Sequence, residues 1–186
     1  MTDQLRHDLD ERMGRAVEAL ERDLAAVRTG RAATALVERV PVEYYGTSTP
    51  LNQLASISVP EAHTIVIQPW DRSALGAIEK AILKSEVGLT PNVDGTIVRL
   101  NIPPLTEERR KELVRLVHKR MEEARVEIRN HRREGADEVK RLEREGEFGV
   151  DEGRRQLEVL QKVTDRWTAE IERVGRHKEQ EILEGG

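Results

Sequence analysis

The charged residues of this 186-residue chain are distributed so unevenly that they predict two different architectures. Segment 31–104 has 6 basic and 7 acidic residues in 74 positions, an ordinary proportion for a folded domain. The flanking segments place the other 53 charged residues in 112 positions. Long exposed helices tolerate this density, whereas a compact core does not. We expect a discontinuous helical domain from residues 1–30 and 105–186, with residues 31–104 inserted as a small α+β domain.

Apolar residues in the flanking segments recur every three or four positions, which predicts amphipathic helices. The first helix has Asp3 as its expected N-cap. The second follows Thr106 and spans about 38 residues, or about 57 Å at 1.5 Å per residue; the third begins near Asp151. Because no single helix can bury its own apolar face, we expect a long antiparallel three-helix bundle. The first apolar stripe comprises Leu5, Leu9, Met13, Val17, Leu20, Leu24 and Val27.

In the middle segment the apolar period changes to two, which predicts strands. Alternation is clearest around Val42, Ile65 and Leu100. The stretches 46–50 and 91–95 have the composition of turns. Residues 73–85 predict a short amphipathic helix capped by Ser73, so the inserted domain is expected to have a β/α/β arrangement.

The chain crosses between the two predicted domains twice. Gly30 permits an unusual backbone at the first crossing, whereas Pro103 and Pro104 stiffen the second. This combination predicts a joint that bends within limits, although a rigid packed interface remains an alternative.

Several classes of function are disfavoured. There is no cysteine and no apolar run long enough to span a membrane. The N-terminal residues lack the apolar region of a secretory signal, so we expect a cytoplasmic location. No phosphate-binding loop, nucleophile elbow or zinc motif is present, so we expect no catalytic residue, cofactor or metal. Asp71 is a weak candidate for catalysis, and a helix cap is the favoured interpretation.

The second long helix carries a positively charged surface. At 100° per residue, seven basic residues share about 100° of its circumference, and only Glu122 and Glu143 intervene. The planar guanidinium group of arginine can bind two phosphate oxygens at once, which favours RNA binding. The competing interpretation is a charged face that is merely solvated. A general RNA-binding protein and a protein-binding structural adaptor also remain open. This basic stripe comprises Lys111, Arg115, Arg125, Arg129, Arg132, Arg133 and Lys140.

Five segments in order resemble the ribosome recycling factor family. They are residues 28–32 (RTGRA), 42–51 (VEYYGTSTPL), 92–95 (NVDG), 103–111 (PPLTEERRK) and 124–133 (ARVEIRNHRR). Each segment alone is moderately specific, whereas their common order and spacing over the whole chain are very specific.

The resemblance implies an L-shaped, two-domain α+β protein that is not an enzyme. It implies binding to large-subunit rRNA of the post-termination ribosome, and subunit splitting driven by elongation factor G with GTP. It places a hinge at Gly30, Arg31, Pro103, Pro104, Leu105 and Thr106. With the basic stripe, it places rRNA contacts at Arg110, Arg125, Arg129, Arg132 and Arg133. We expect a monomer that does not associate with membranes.

Overall fold

The computed structural model describes residues 3–185, which form two compact units. The helical unit comprises the described residues up to Arg28 together with Glu107–Glu184, and the inserted unit comprises Thr29–Thr106. The predicted α+β class is therefore confirmed.

Three helices form the helical unit: α1 (Asp3–Ala25), α3 (Glu107–Arg144) and α4 (Val150–Glu184). Helix α3 has 38 residues and is therefore about 57 Å long. His118 of α3 lies 3.1 Å from Glu179 of α4, and Arg125 lies 2.9 Å from Glu172, so these two helices run antiparallel. Asp10 of α1 accepts a hydrogen bond from Trp167 Nε1 at 2.8 Å.

Apolar side chains from all three helices fill the centre of this unit. Most of the predicted α1 stripe is buried, from Leu9 to Leu24, whereas Leu5 and Val27 are half-buried. Glycines allow the helices to approach closely. A Cβ atom at Gly135 of α3 would lie 2.6 Å from Leu9 Cδ1 and 3.2 Å from Leu160 Cδ1, so only a hydrogen fits there.

The inserted unit contains six strands, three short 3-10 turns and one α-helix, α2 (Leu75–Lys84). Strands β1 (Pro41–Tyr44) and β2 (Thr47–Pro50) form an antiparallel hairpin. A second antiparallel sheet has the order β3-β4-β6-β5. Its strands are β3 (Ala55–Glu61), β4 (Thr64–Pro69), β5 (Pro91–Asp94) and β6 (Ile97–Asn101).

The core of the inserted unit lies between α2, the hairpin and one face of the four-stranded sheet. Ile78 and Ile82 of α2 are fully buried with Ile65 and Ile67 of β4. The alternation predicted around these β4 residues follows because every second side chain points to this core.

Three local predictions were wrong. Residues 47–50 and 91–94 form strands β2 and β5, because their backbone groups pair with β1 and β6 and only the short links between them turn. Ser73 does not cap α2; Asp71 accepts the Ser73 backbone N–H at 2.9 Å and caps the 3-10 turn before that helix. Asp3 lies within the first turn of α1 and does not precede it.

Within residues 3–185, no helix is both long enough and apolar enough to cross a membrane.

Candidate nucleic-acid interface

The basic stripe lies on α3, which presents its arginines from a rigid backbone. Residues from Leu113 to Val139 bury the opposite side of this helix, and this burial fixes which side chains face outward. Arg125 and Arg132, seven residues apart, both reach side chains of α4. The stripe therefore borders α4, which a helical wheel of α3 alone could not show.

Arg125 is held within the bundle. Its Nε donates to Glu172 Oε1 at 2.9 Å, and its Nη1 donates to Glu122 Oε2 at 3.1 Å. The hydrogen bond that Arg125 donates to Glu172 is the main reason that the pKa of Arg125 is raised. Both of its carboxylate partners must be displaced before a phosphate can bind. Arg125 is therefore better placed to link α3 to α4 than to bind RNA.

Arg129 is more accessible, although it is also paired. Its side chain is 55% exposed, and it donates to Glu122 Oε1 at 2.5 Å. This bond, with that from Arg125, lowers the pKa of Glu122. An exposed ion pair of this kind is weak, so a phosphate could replace Glu122 at little cost.

Arg132 and Arg133 have no ion pair within residues 3–185. Arg132 donates only to the amide oxygen of Gln161 at 3.3 Å, and Arg133 donates to Asn130 at 3.4 Å. Both residues are exposed. Because their partners are neutral and their bonds are long, these two guanidinium groups are the most available to an anionic ligand among the five predicted rRNA contacts.

The other basic positions differ in their surroundings. Arg110 is half-buried in the first turn of α3, and Lys111 lies 3.1 Å from Glu107. Arg115 and Lys140 are exposed, with no ion pair in the described part of the chain. His131, on the opposite side, is 18% exposed and lies 3.7 Å from both Glu127 and Glu134. Among the five predicted rRNA contacts the available charge thus lies at Arg132 and Arg133, and Arg115 and Lys140 extend it along the stripe in both directions.

The predicted hinge residues at the first crossing are held by the β3–β4 turn. His63 Nδ1 lies 2.7 Å from the carbonyl oxygen of Gly30, and the Ala32 N–H donates to Ala62 O at 2.7 Å. Gly30 has a φ of +75°, a left-handed conformation that favours glycine. At the second crossing, the Ile102 N–H donates to His63 O at 2.7 Å. One short turn therefore anchors both ends of the inserted unit.

Asp71, the weak catalytic candidate, has a structural role. Its carboxylate accepts the Tyr44 hydroxyl at 2.6 Å and the Ser73 N–H at 2.9 Å. The bond from Tyr44 is the largest cause of the lowered pKa of Asp71, and it raises the pKa of Tyr44 to about 12. Among the described residues, no group of three or more His, Asp or Glu side chains is arranged to hold a metal ion.

Tyr44→Phe removes this donor, and we expect the pKa of Asp71 to rise towards its ordinary range. A depressed pKa stabilises the fold above pH ~4, and this stabilisation is lost as the pH falls through the folded-state pKa. The variant should therefore lose less stability than the wild type between about pH 5 and pH 2. Carbon-13 NMR titration of Asp71 and urea unfolding at several pH values measure both effects. Tyr45→Phe is the matched control; an Asp71 pKa unchanged in Tyr44→Phe would contradict the assignment.

Comparison with known proteins covers nearly the whole chain. The sequence profile described as "Ribosome recycling factor" matches residues 20–183. The ribosome-recycling factor of Shouchella clausii is 53% identical over 184 residues, covering 99% of this chain and 100% of the relative. That of Thermomicrobium roseum is 50% identical, with the same coverage of both proteins. This chain belongs to the ribosome recycling factor family.

Solved structures of ribosome recycling factors have the same fold. A solution structure of one such factor is 49% identical, has a TM-score of 0.73, and matches 98% of this chain and 97% of the other. A second match is the T. thermophilus ribosome recycling factor, described with the E. coli elongation factor G bound to the E. coli post-termination complex. It is 48% identical with a TM-score of 0.62, and matches 98% of this chain and 100% of the other.

Proposed function

We propose that this protein recycles ribosomes: together with elongation factor G and GTP, it disassembles the post-termination complex, separates the subunits and releases the mRNA. The observation that carries this proposal is 53% identity to a ribosome-recycling factor over 99% of the chain. The T. thermophilus relative, matched over 98% of this chain, is described on the post-termination complex with elongation factor G.

In this proposal α3 docks the protein on large-subunit rRNA. Contacts to phosphates position a protein without reading the base sequence, which suits a factor that must act after every message. Of the five predicted rRNA contacts, Arg132 and Arg133 supply the most available charges, and Arg129 joins them when Glu122 is displaced. Arg110 and Arg125 contribute at the margin, since the first is half-buried and the second is bound to Glu172.

Elongation factor G pushes on the inserted unit, and the two crossings transmit this push to the helical bundle. The hinge comprises Gly30, Arg31, Pro103, Pro104, Leu105 and Thr106. Gly30 has a left-handed backbone that any replacement would strain, whereas Pro103 and Pro104 follow the anchored Ile102, so the prolines are the better place to alter stiffness.

The protein itself catalyses no covalent step, since GTP is hydrolysed by the partner. It therefore needs no cofactor of its own. We propose that it acts as a monomer in the cytoplasm, where bacterial-type ribosomes carry out translation.

Sedimentation of post-termination ribosomes tests the proposed function. This protein, elongation factor G and GTP are each omitted in turn, and the 50S and 30S fractions are measured. We expect separated subunits only when all three components are present. Sedimentation with ribosomes but no splitting would instead favour a general RNA-binding protein, and absence of ribosome binding would contradict the proposal.

Pro103→Gly combined with Pro104→Gly tests the second crossing. Each replacement releases a fixed φ angle, so a push on the inserted unit should reach the bundle less efficiently. We expect ribosome affinity within about twofold of wild type and a splitting rate lowered about fivefold, because only the backbone stiffness changes. Stopped-flow light scattering measures the rate of subunit splitting. Gly88→Ala is unsuitable as a control, because Gly88 has a φ of +71° that would strain alanine. Pro60→Gly, in exposed strand β3, is the appropriate control; an unaltered rate in the double variant would show that stiffness is unimportant.

A further inference from the structure

The aromatic residues of the inserted unit lie at the adjoining ends of two strands, β1 and β4. This unit contains Tyr44, Tyr45 and Trp70, three of the five aromatic residues in the chain. Tyr45 is the first residue after β1, and Trp70 is the first after β4. The Tyr44–Asp71 hydrogen bond, 2.6 Å long, joins the ends of these two strands. The rings of Tyr44 and Tyr45 meet edge to face, with centroids 4.5 Å apart.

Two of these side chains are more exposed than the fold requires. Tyr45 is 82% exposed and Trp70 is 68% exposed, the highest values among the large apolar side chains of residues 3–185. Neither ring lies in the core of the unit, whereas Tyr44 packs against it. Tyrosine and tryptophan are enriched at protein interfaces, so exposed side chains of these two types indicate a surface that a partner covers.

The backbone at Tyr45 strengthens this interpretation. With a φ of 49°, Tyr45 is the one non-glycine residue of positive φ in the described chain. Gly46 follows with a φ of 76°, so the hairpin link has the backbone of a type I′ turn. Asparagine or glycine suits the first of these positions better than tyrosine, so the fold alone does not favour the aromatic ring.

The surrounding charge indicates a protein partner rather than a nucleic acid. Arg72 is exposed and has no ion pair within residues 3–185. Tryptophan, tyrosine and arginine dominate the energetic centres of protein interfaces. Arg72 is the single lysine or arginine in residues 44–72, so this stretch lacks the clustered positive charge that the basic stripe of α3 has for a phosphate backbone.

We propose that Tyr45, Trp70 and Arg72 form the surface on which elongation factor G docks. The complementary surface of that partner is an apolar pocket bordered by carboxylates, which accept the Arg72 guanidinium. This inference rests on the proposed function, in which α3 contacts rRNA and the inserted unit receives the GTPase. It adds the residues of the contact and the chemistry that the partner must present.

The double variant Tyr45→Asn/Trp70→Ala tests the surface without disturbing the fold. Asparagine tolerates the left-handed backbone, and Trp70 makes few core contacts, so thermal stability should be retained. We expect ribosome affinity to stay within about twofold, while the elongation factor G concentration that gives half-maximal splitting rises about tenfold or more. Leu83→Ala, at a 59% exposed position of α2 in the same unit, is the matched control and should behave as wild type.

Photocrosslinking identifies what covers the surface. Trp70 is replaced by p-benzoylphenylalanine, and the protein is irradiated with purified post-termination ribosomes, elongation factor G and a non-hydrolysable GTP analogue. An adduct with elongation factor G supports the proposal. An adduct only with rRNA or a ribosomal protein, or an unchanged elongation factor G dependence in the double variant, overturns it. If the wild-type protein splits no ribosomes, the proposed function itself fails, which is a separate result.

Discussion

Reversing three charges on α3, by Arg129→Glu, Arg132→Glu and Arg133→Glu together, is expected to abolish stable ribosome binding at physiological salt. Each lost phosphate contact removes about 0.9 from the slope of log affinity against log salt, so the slope should fall by about 2.7. At the same time, the repulsion between new carboxylates and phosphates should weaken binding by about 100-fold or more. Filter binding to 50S subunits over a range of salt concentrations measures both quantities.

A control with the same change in net charge separates a local effect from a general one. Arg6, Arg15 and Arg22 are exposed on α1, and their replacement by glutamate also changes the charge by about −6. This control should retain affinity within about threefold, because it leaves the basic stripe intact. Equal losses in the two triple variants would show that overall charge, rather than α3, directs binding. Circular dichroism of both variants checks that the helices remain formed.

The second large effect concerns stability, at the contact between Gly175 of α4 and Met121 of α3. A Cβ atom at Gly175 would overlap Sδ and Cε of Met121 and lie 2.7 Å from its Cγ. Met121 is 3% exposed, so its side chain has little room to move away. Glycine to alanine normally stabilises a helix interior by up to about 1 kcal/mol. Here we expect Gly175→Ala to lower the free energy of unfolding by about 1–3 kcal/mol, because overpacking outweighs helix propensity.

A double-mutant cycle tests the cause of this loss. Met121→Ala alone should cost about 2–5 kcal/mol through the cavity that it creates. The combined variant should be more stable than the sum of the two losses by about 1 kcal/mol or more, since the new methyl group then meets an empty space. Gly76→Ala in α2, where a Cβ atom would meet nothing within 4 Å, serves as the control and should stabilise slightly. Additive effects of the two bundle substitutions would contradict a direct clash.

The helices of the bundle could be predicted because local patterns define them. One long helix is predicted by three local features: the periodic apolar residues, the two prolines before α3 and the paired glutamates in its first turn. The structure confirms a helix from Glu107 to Arg144. The two missed strands, β2 and β5, contain four residues each and are rich in turn-forming residues. Their extended conformation depends on hydrogen bonds to β1 and β6. Such pairing cannot be predicted from the local composition of the sequence.

For the arginines of α3, too, the sequence predicts one property and tertiary packing decides another. Their periodicity in the sequence predicts a common face, but it does not distinguish Arg125, bonded to the carboxylate of Glu172, from Arg132, bonded to the neutral amide of Gln161. Glu172 and Gln161 both belong to α4, 47 and 29 positions later in the chain than the arginines that they bind. The ends of β1 and β4, which carry Tyr45 and Trp70, are likewise joined by the Tyr44–Asp71 bond across 27 positions.

The sequence by itself determined the helices, the inserted segment and the stripe of positive charge, because each arises from residues within a few turns of one another. Only the tertiary structure decided which charges remain available to a partner. That property depends on carboxylates and amides brought close by packing, and the free energy of each pair follows from its distance and its exposure to water.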